Sequence, residues 1–369
     1  MDNLIALNKC ESYDVNEITS TLENQLSVLK INLADFKDKN VLVKPNLLMK
    51  VAPDKATTTH PAVVESVCRI LKNSGANVVI ADSCGGLYTE STLKGLYRAC
   101  GIEKIAINTN SKLNFDVSSE EIHTPNAKKS KIYNIITPVC KSDYIFNVCK
   151  LKTHSFAIMS AAVKNFFGVI PGIEKFEMHA RFKNPNDFFG MLVDLCKVVC
   201  EMKPVINIVD GIVGMEGNGP SGGNPRKVGC IITGKNPYAV DSVCEYIIGL
   251  ENKVPTVSIS KKLGYFSNLE ILGEDIESFK IDDYKKPETS VNRIFKFIPG
   301  FLKPRPKINK KKCLGCSDCE RSCPEKIIKI IDKKAKIDSK KCIKCYCCQE
   351  LCKYKAVKIK KNFIFRIIK

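Results

Sequence analysis

Eight cysteines near the end of the chain stand at spacings that can do chemistry. Cys313, Cys316, Cys319 and Cys323, followed by Pro324, spell C-x2-C-x2-C-x3-C-P, and Cys342, Cys345, Cys348 and Cys352 repeat the spacing. Three thiolates at successive three-residue steps wrap one face of an iron–sulfur cubane, while the fourth lies on a following turn and serves the other cluster. The pattern therefore predicts two 4Fe–4S clusters. Cys313, Cys316, Cys319 and Cys352 hold the first, and Cys342, Cys345, Cys348 and Cys323 the second. Zinc is the competing reading, because paired C-x2-C knuckles hold it in many small folds. Three cysteines in so tight a run fit one tetrahedral ion poorly. Cys347 breaks no spacing and reads as a spare thiol.

A second group of chemistry-bearing residues lies well upstream. Lys150, Lys152 and His154 alternate, so in an extended segment all three point the same way. Ser155 is placed to cap a following helix, and the combination suits a phosphate or a carboxylate. A lysine at a strand end is ordinarily solvated, so Lys152 is expected to contribute little to folding when no ligand is bound. Asp82 and Asp210 each follow an apolar run and precede glycine, where the carboxyl edge of an open sheet forms a crevice. Lys164 falls in the last turn of an expected helix, where the macrodipole alone would favour a cation. His60 precedes the expected helix start at Pro61, and His179 has no periodic context. Gly217, Gly219 and Gly222 satisfy G-x-G-x-x-G, but Pro220 interrupts the motif and Lys227–Thr233 reads as a strand. A dinucleotide fingerprint must lead into a helix. The segment reads instead as a glycine-rich loop able to close over a ligand through backbone N–H groups.

Lys44-Pro45-Asn46-Leu47, Thr58-Thr59-His60-Pro61, Lys150 to His154, Lys164 to Gly172, Val209-Asp210-Gly211 and Met215 to Pro220 together resemble the domain of unknown function 362 family. The resemblance spans most of residues 1–280. It implies the architecture, including the fused ferredoxin module that members often carry, and no particular activity. Lys152, His154, Lys164, Asp82 and Asp210 are the candidate catalytic residues. Lys44, Lys150, Gly217 and Gly219 are the candidate cofactor-binding ones.

The elements that must position these residues alternate. Asn40–Val43, Asn77–Ala81, Tyr144–Val148, Val205–Val209 and Val228–Thr233 are compact apolar runs that read as buried strands. Helix-period segments cover Val15–Leu29, Pro61–Asn73, Thr89–Cys100, Phe156–Phe167, Asp187–Met202 and Tyr238–Leu250. The alternation predicts an α/β fold: a mostly parallel sheet with helices on both faces, followed by a small α+β ferredoxin-like domain. The expected divisions are an α/β domain over 1–285, a Lys- and Pro-rich linker over 286–307, and an internally duplicated two-cluster domain over 308–360.

The formal charge is +19, and from Phe301 onward 22 Lys and Arg face only 6 Asp and Glu. The basic character thus belongs to the cysteine module, which should attract an acidic redox partner such as a flavodoxin, a ferredoxin or a reductase. Nucleic acid is not expected, because no aromatic platform accompanies the lysines. Met1–Asp14 lacks the basic start and apolar run of a signal peptide, and no stretch reaches the roughly 18 apolar residues of a membrane span, so a soluble cytoplasmic protein is expected. Three functions compete. One is an oxidoreductase that passes electrons to an anionic small molecule in the crevice. Another is a non-enzymatic electron carrier whose large domain is a docking module. The third, suggested by the eleven remaining cysteines, is a metal or cluster maturation factor.

Overall fold

A computed structural model describes residues 2–289 and 304–360. Most of the expected linker lies outside those residues. Eleven strands precede it: β1 (Leu4–Lys9), β2 (Asn40–Pro45), β3 (Asn77–Ile80), β4 (Lys112–Leu113), β5 (Ser119–His123), β6 (Ile132–Ile136), β7 (Tyr144–His154), β8 (Ile158–Ser160), β9 (Val205–Glu216), β10 (Asn224–Gly234) and β11 (Glu270–Gly273). Nine of them form one sheet in the order β11-β1-β10-β9-β7-β2-β3-β4, with β8 paired to β7. Its central pairs β9–β7, β7–β2 and β2–β3 are parallel, while β10 runs antiparallel to both β1 and β9. The sheet is therefore mostly parallel, as the alternation predicts. β5 and β6 make a separate antiparallel hairpin.

Period-two alternation divides the core between the two faces. Val41, Val43, Ile206 and Ile208 point to one face and pack under helices Val15–Val28, Pro61–Asn73, Glu90–Ala99 and Ile102–Asn108. Leu42, Val205, Val209 and Ile232 point to the other, under helices Pro185–Met202, Pro237–Ile247 and Pro255–Lys262. Each fully buried aliphatic side chain contributes about 1.5–3 kcal/mol. Asn236 caps the helix opened by Pro237, and Gly75 closes Pro61–Asn73 with φ +85°.

The segment Phe156–Phe167, expected as a helix, is not one. It turns, forms β8 against the end of β7, and continues as the short helix Ala162–Asn165 and a 3₁₀ turn over Phe166–Val169. The buried carboxylate of Asp241 accepts from the amides of Ala162 and Val163, so the helix starts there. Ser155, expected as a cap, donates its hydroxyl to the carbonyl of Gly219 at 2.8 Å. β7 and β9 also run well past Val148 and Val209, since pairing with each other satisfies the backbone of their polar halves.

In the cysteine-rich segment, β12 (Arg305–Ile308) pairs with β15 (Val357–Lys360), and β13 (Ile328–Ile331) with β14 (Lys334–Ile337). Two one-turn helices, Asp318–Arg321 and Cys347–Glu350, each enter from a left-handed residue, Ser317 and Tyr346. This unit sits on the loop between β9 and β10. Gln349 Nε2 donates to the Asn218 carbonyl at 2.9 Å, and Ser221 Oγ donates to the Glu350 carbonyl at 2.6 Å. Lys183 and Glu325 add an ion pair at 2.9 Å.

Candidate functional site

The far half of β7 carries Lys150, Lys152 and His154 below the surface, each at most 4% exposed. The structure sends them to two places. Lys150 stands in register with Asp210 of β9, and its Nζ donates to Asp210 Oδ2 at 2.8 Å and to the Tyr13 hydroxyl at 2.9 Å. That hydroxyl donates to Asp210 Oδ1 at 3.0 Å and accepts from the Val213 amide. The His60 amide takes Asp210 Oδ2, and the His60 ring stacks on Tyr13 with centroids 3.5 Å apart while its Nδ1 caps helix Pro61–Asn73. No fully buried side-chain nitrogen or oxygen of this group lacks a hydrogen-bond partner.

Lys152 and His154 instead line a cavity of ≈ 60 Å³ together with Lys164, Lys175, His179 and Asp82. Cys347, Glu350 and Leu351 of the cysteine-rich segment form another part of its wall. Lys152, expected to be solvated, is 1% exposed, because that segment covers it. Burial holds its ammonium down to about 7 and that of Lys175 to about 8, and it lowers Lys164 as well, with Glu350 pulling Lys152 and Lys164 upward. Lys175 spends its donors on Ser83 and on the Cys84 carbonyl. Lys164 makes no hydrogen bond among the described residues. Its ammonium lies over the Phe167 ring at 4.7 Å.

Burial, then Lys164 and Lys152, push His154 well below the ordinary imidazole range. Its Nδ1 accepts from the amides of Phe156 at 3.0 Å and Ala157 at 3.2 Å. The ring proton therefore sits on Nε2, and that buried atom has no hydrogen-bond partner. Glu350 Oε2 stands 3.6 Å from it, beyond hydrogen-bond length. His179 is held near 3 by burial and stacks on Phe188 at 4.1 Å.

A directed chain of amides orients Lys152. Its Nζ donates to Asn46 Oδ1 at 2.6 Å and to the Thr57 carbonyl at 2.6 Å. Asn46 donates to Asn165, Asn165 to Asn147, Asn147 to Asn207, and Asn207 to the Gly234 carbonyl. Each amide spends its oxygen on the preceding donor, so all the oxygens turn toward the lysine. Lys44 is paired with Asp82 at 2.7 Å, and Asp82 also accepts from the Leu47 amide. A Cβ at Gly168 would lie 2.2 Å from Asp82 Oδ1, so only glycine fits there.

Sequence reasoning thus named Lys152, His154, Lys164 and Asp82 of the cavity, and Lys44 just behind Asp82. Lys150 and Asp210 form the separate satisfied group. Gly217 and Gly219 belong to the loop that seats the cysteine-rich segment, where the Gly219 carbonyl accepts from Ser155. Lys175, Glu350 and the asparagine chain were missed. Asn147 and Asn207, each in the middle of an apolar run, were the available signal, because asparagine is depleted in strands.

The cysteines stand in two crossed sets. Cys313, Cys316, Cys319 and Cys352 line one small cavity, and Cys323, Cys342, Cys345 and Cys348 line another. Each set surrounds a void, and among the described residues no three such side chains converge on a point suited to one metal ion. Four thiols around a void suit a 4Fe–4S cubane. Cys347 is buried and faces the lysine-lined cavity.

Among the described residues no helix is long and apolar enough to cross a membrane. A 4Fe-4S dicluster domain matches residues 305–353, so this is an iron–sulfur protein. The thylakoid-associated protein sll1697 of Synechocystis sp. is 27% identical over 296 residues, covering 77% of this chain and 88% of that protein. The lactate racemase apoprotein of Thermoanaerobacterium thermosaccharolyticum superposes with a TM-score of 0.43 at 17% identity, over 68% of this chain and 58% of that one. The Lys44–Asp82, Lys150–Asp210 and Lys152–Lys164 groups all lie within residues 41–245, which match the domain of unknown function DUF362, and the chain belongs to that family.

Proposed function

We propose that the protein is a ferredoxin-linked oxidoreductase that binds a small anionic molecule in the lysine-lined cavity and exchanges electrons with it. The observation that supports this reading is the shared wall. Lys152, Lys164 and His154 come from the sheet, and Cys347, Glu350 and Leu351 come from the segment that carries Cys345, Cys348 and Cys352. A ligand there touches the cluster-bearing segment directly. Two 4Fe–4S clusters, held by the crossed cysteine sets, would supply electrons one at a time. The chain's own residues do the rest. Lys152 and Lys164 attract the anion, Lys152 is aimed by the asparagine chain, and neutral His154 offers an Nε2–H to a ligand oxygen. Leu351 and Phe167 exclude water, which strengthens each of these contacts. Exposed Lys310, Lys311, Lys312, Lys340 and Lys341 suit an acidic redox partner.

Anaerobically purified full-length protein should contain about eight irons, as two cubanes require. Titration with acetate and with phosphate should alter the EPR signal of the dithionite-reduced protein, because the ligand borders the second cysteine set. Lys164→Met should abolish that response while iron content stays at the parent level. If anions change neither the spectrum nor the melting temperature, the large domain is better read as a docking module for an electron carrier.

A further inference from the structure

Glu350 is an odd neighbour for this cavity. It belongs to the cysteine-rich segment, only 18% of its side chain is exposed, and its carboxylate makes no hydrogen bond to any of the donors around it. Its Oε2 stops 3.6 Å short of His154 Nε2, leaving that buried N–H without a partner. Lys164, on the same cavity, also lacks a hydrogen bond among the described residues. Two open donors therefore face one carboxylate that reaches neither at bonding distance. What holds the Glu350 position is its backbone carbonyl, tied to Ser221 Oγ at 2.6 Å. The carboxylate is thus free to swing without unseating the segment.

We infer that the Glu350 carboxylate stands in for the carboxylate of the ligand, which displaces it and takes the Nε2–H of His154 and the ammonium of Lys164. This rests on the proposed anion-binding role of the cavity and adds the ligand's class. Size limits it further. A cavity of ≈ 60 Å³ has room for a small molecule only. A short carboxylic acid of two or three carbons is the class it favours. The planar carboxylate of Glu350 already marks the shape of the group the site accepts.

The test uses full-length, cluster-loaded protein and calorimetric titration with acetate, propionate, octanoate and inorganic phosphate. Acetate and propionate are expected to bind and octanoate to fail. Glu350→Gln removes the competing charge and keeps the side-chain length, so it should tighten acetate about tenfold, while His154→Phe should weaken it about tenfold. Glu350→Asp withdraws the carboxylate by one methylene and should fall between parent and Glu350→Gln, which keeps the comparison intact if the Gln variant loses its iron. If the parent binds acetate and Glu350→Gln binds it no tighter, the stand-in role is wrong and the anion cavity survives. Preference for phosphate over both short carboxylates overturns the ligand class. If neither parent nor variant binds any of the four, the proposed function fails as well.

Discussion

Lys150 and Lys152 leave the same strand two residues apart, and both end below the surface, yet their surroundings differ in kind. Around Lys150 no fully buried side-chain polar atom is left without a partner, from Asp210 through Tyr13 to the Val213 amide. Around Lys152 the matching is satisfied on the inner side, through the asparagine chain, and incomplete toward the cavity, where buried His154 Nε2 has no hydrogen-bond partner and half-buried Lys164 makes no hydrogen bond among the described residues. Burial of charge is common to both regions and so does not mark a site. The unfilled half of a hydrogen-bond network does. Buried polar groups without partners cost stability, and one that faces a cavity, as His154 Nε2 does, supports the ligand-binding reading proposed above.

The largest expected effect separates the two regions by stability. Asp210→Ala strands the Lys150 cation in the core and should lower unfolding free energy by about 3–5 kcal/mol. Lys164→Met removes a cation that makes no hydrogen bond or ion pair at bonding distance among the described residues and should change it by less than about 1 kcal/mol. Denaturant unfolding of the full chain followed by circular dichroism measures both. Equal losses would show that the cavity lysine is as structural as Lys150.

A smaller effect is set by pH. Lys152 and Lys175 are held at about 7 and about 8, below the ordinary lysine value, chiefly by burial. Between those values and roughly 10.4 the unfolded chain binds more protons than the folded one, so stability should rise as pH climbs through this window. Acetate affinity should move the other way and fall as pH passes 7 to 8, because the lysines lose the charge that attracts the anion. Melting temperatures and acetate titrations from pH 6 to 10 would show the two trends crossing. A flat acetate affinity would remove Lys152 from the binding site.

The smallest effect lies at the edge of the satisfied group. His60 caps helix Pro61–Asn73 through Nδ1 and stacks on Tyr13, so His60→Ala should cost about 1 kcal/mol and leave acetate binding unchanged. A loss of binding would show that the two regions are coupled through β7.

Much of the scaffold was readable in the residues. Val41–Val43 and Val205–Val209 are apolar because helices cover both faces, and such runs declare themselves. The second halves of β7 and β9 did not, since Lys150, Lys152 and Asp210 interrupt the apolar pattern: Lys150 and Asp210 neutralise each other across the two strands, and Lys152 bonds Asn46 and the Thr57 carbonyl far away in sequence. Phe156–Phe167 carries helical periodicity, and its helix is delayed to Ala162 by Asp241, which lies 79 residues further on. The cavity was half legible. Lys152, His154 and Lys164 stand close together in sequence, but Glu350 reaches them only through the docking of a segment almost 200 residues away. No local pattern could announce it.

The glycines beneath that docked segment act as clearance. A Cβ at Gly85 would stand 3.0 Å from Leu351 Cδ2, and one at Gly222 would stand 2.8 Å from Gln349 Nε2. Neither residue lines up with a donor, yet together they set how deeply the stretch 347–351 settles, and so the height of the cavity's ceiling. A methyl group at either position is a shim that the Leu351 or Gln349 side chain must shift to admit. The depth of the cavity is thus set by Gly85 in its own wall and by Gly222 in the loop beneath the docked segment, two positions whose contribution is the absence of a side chain.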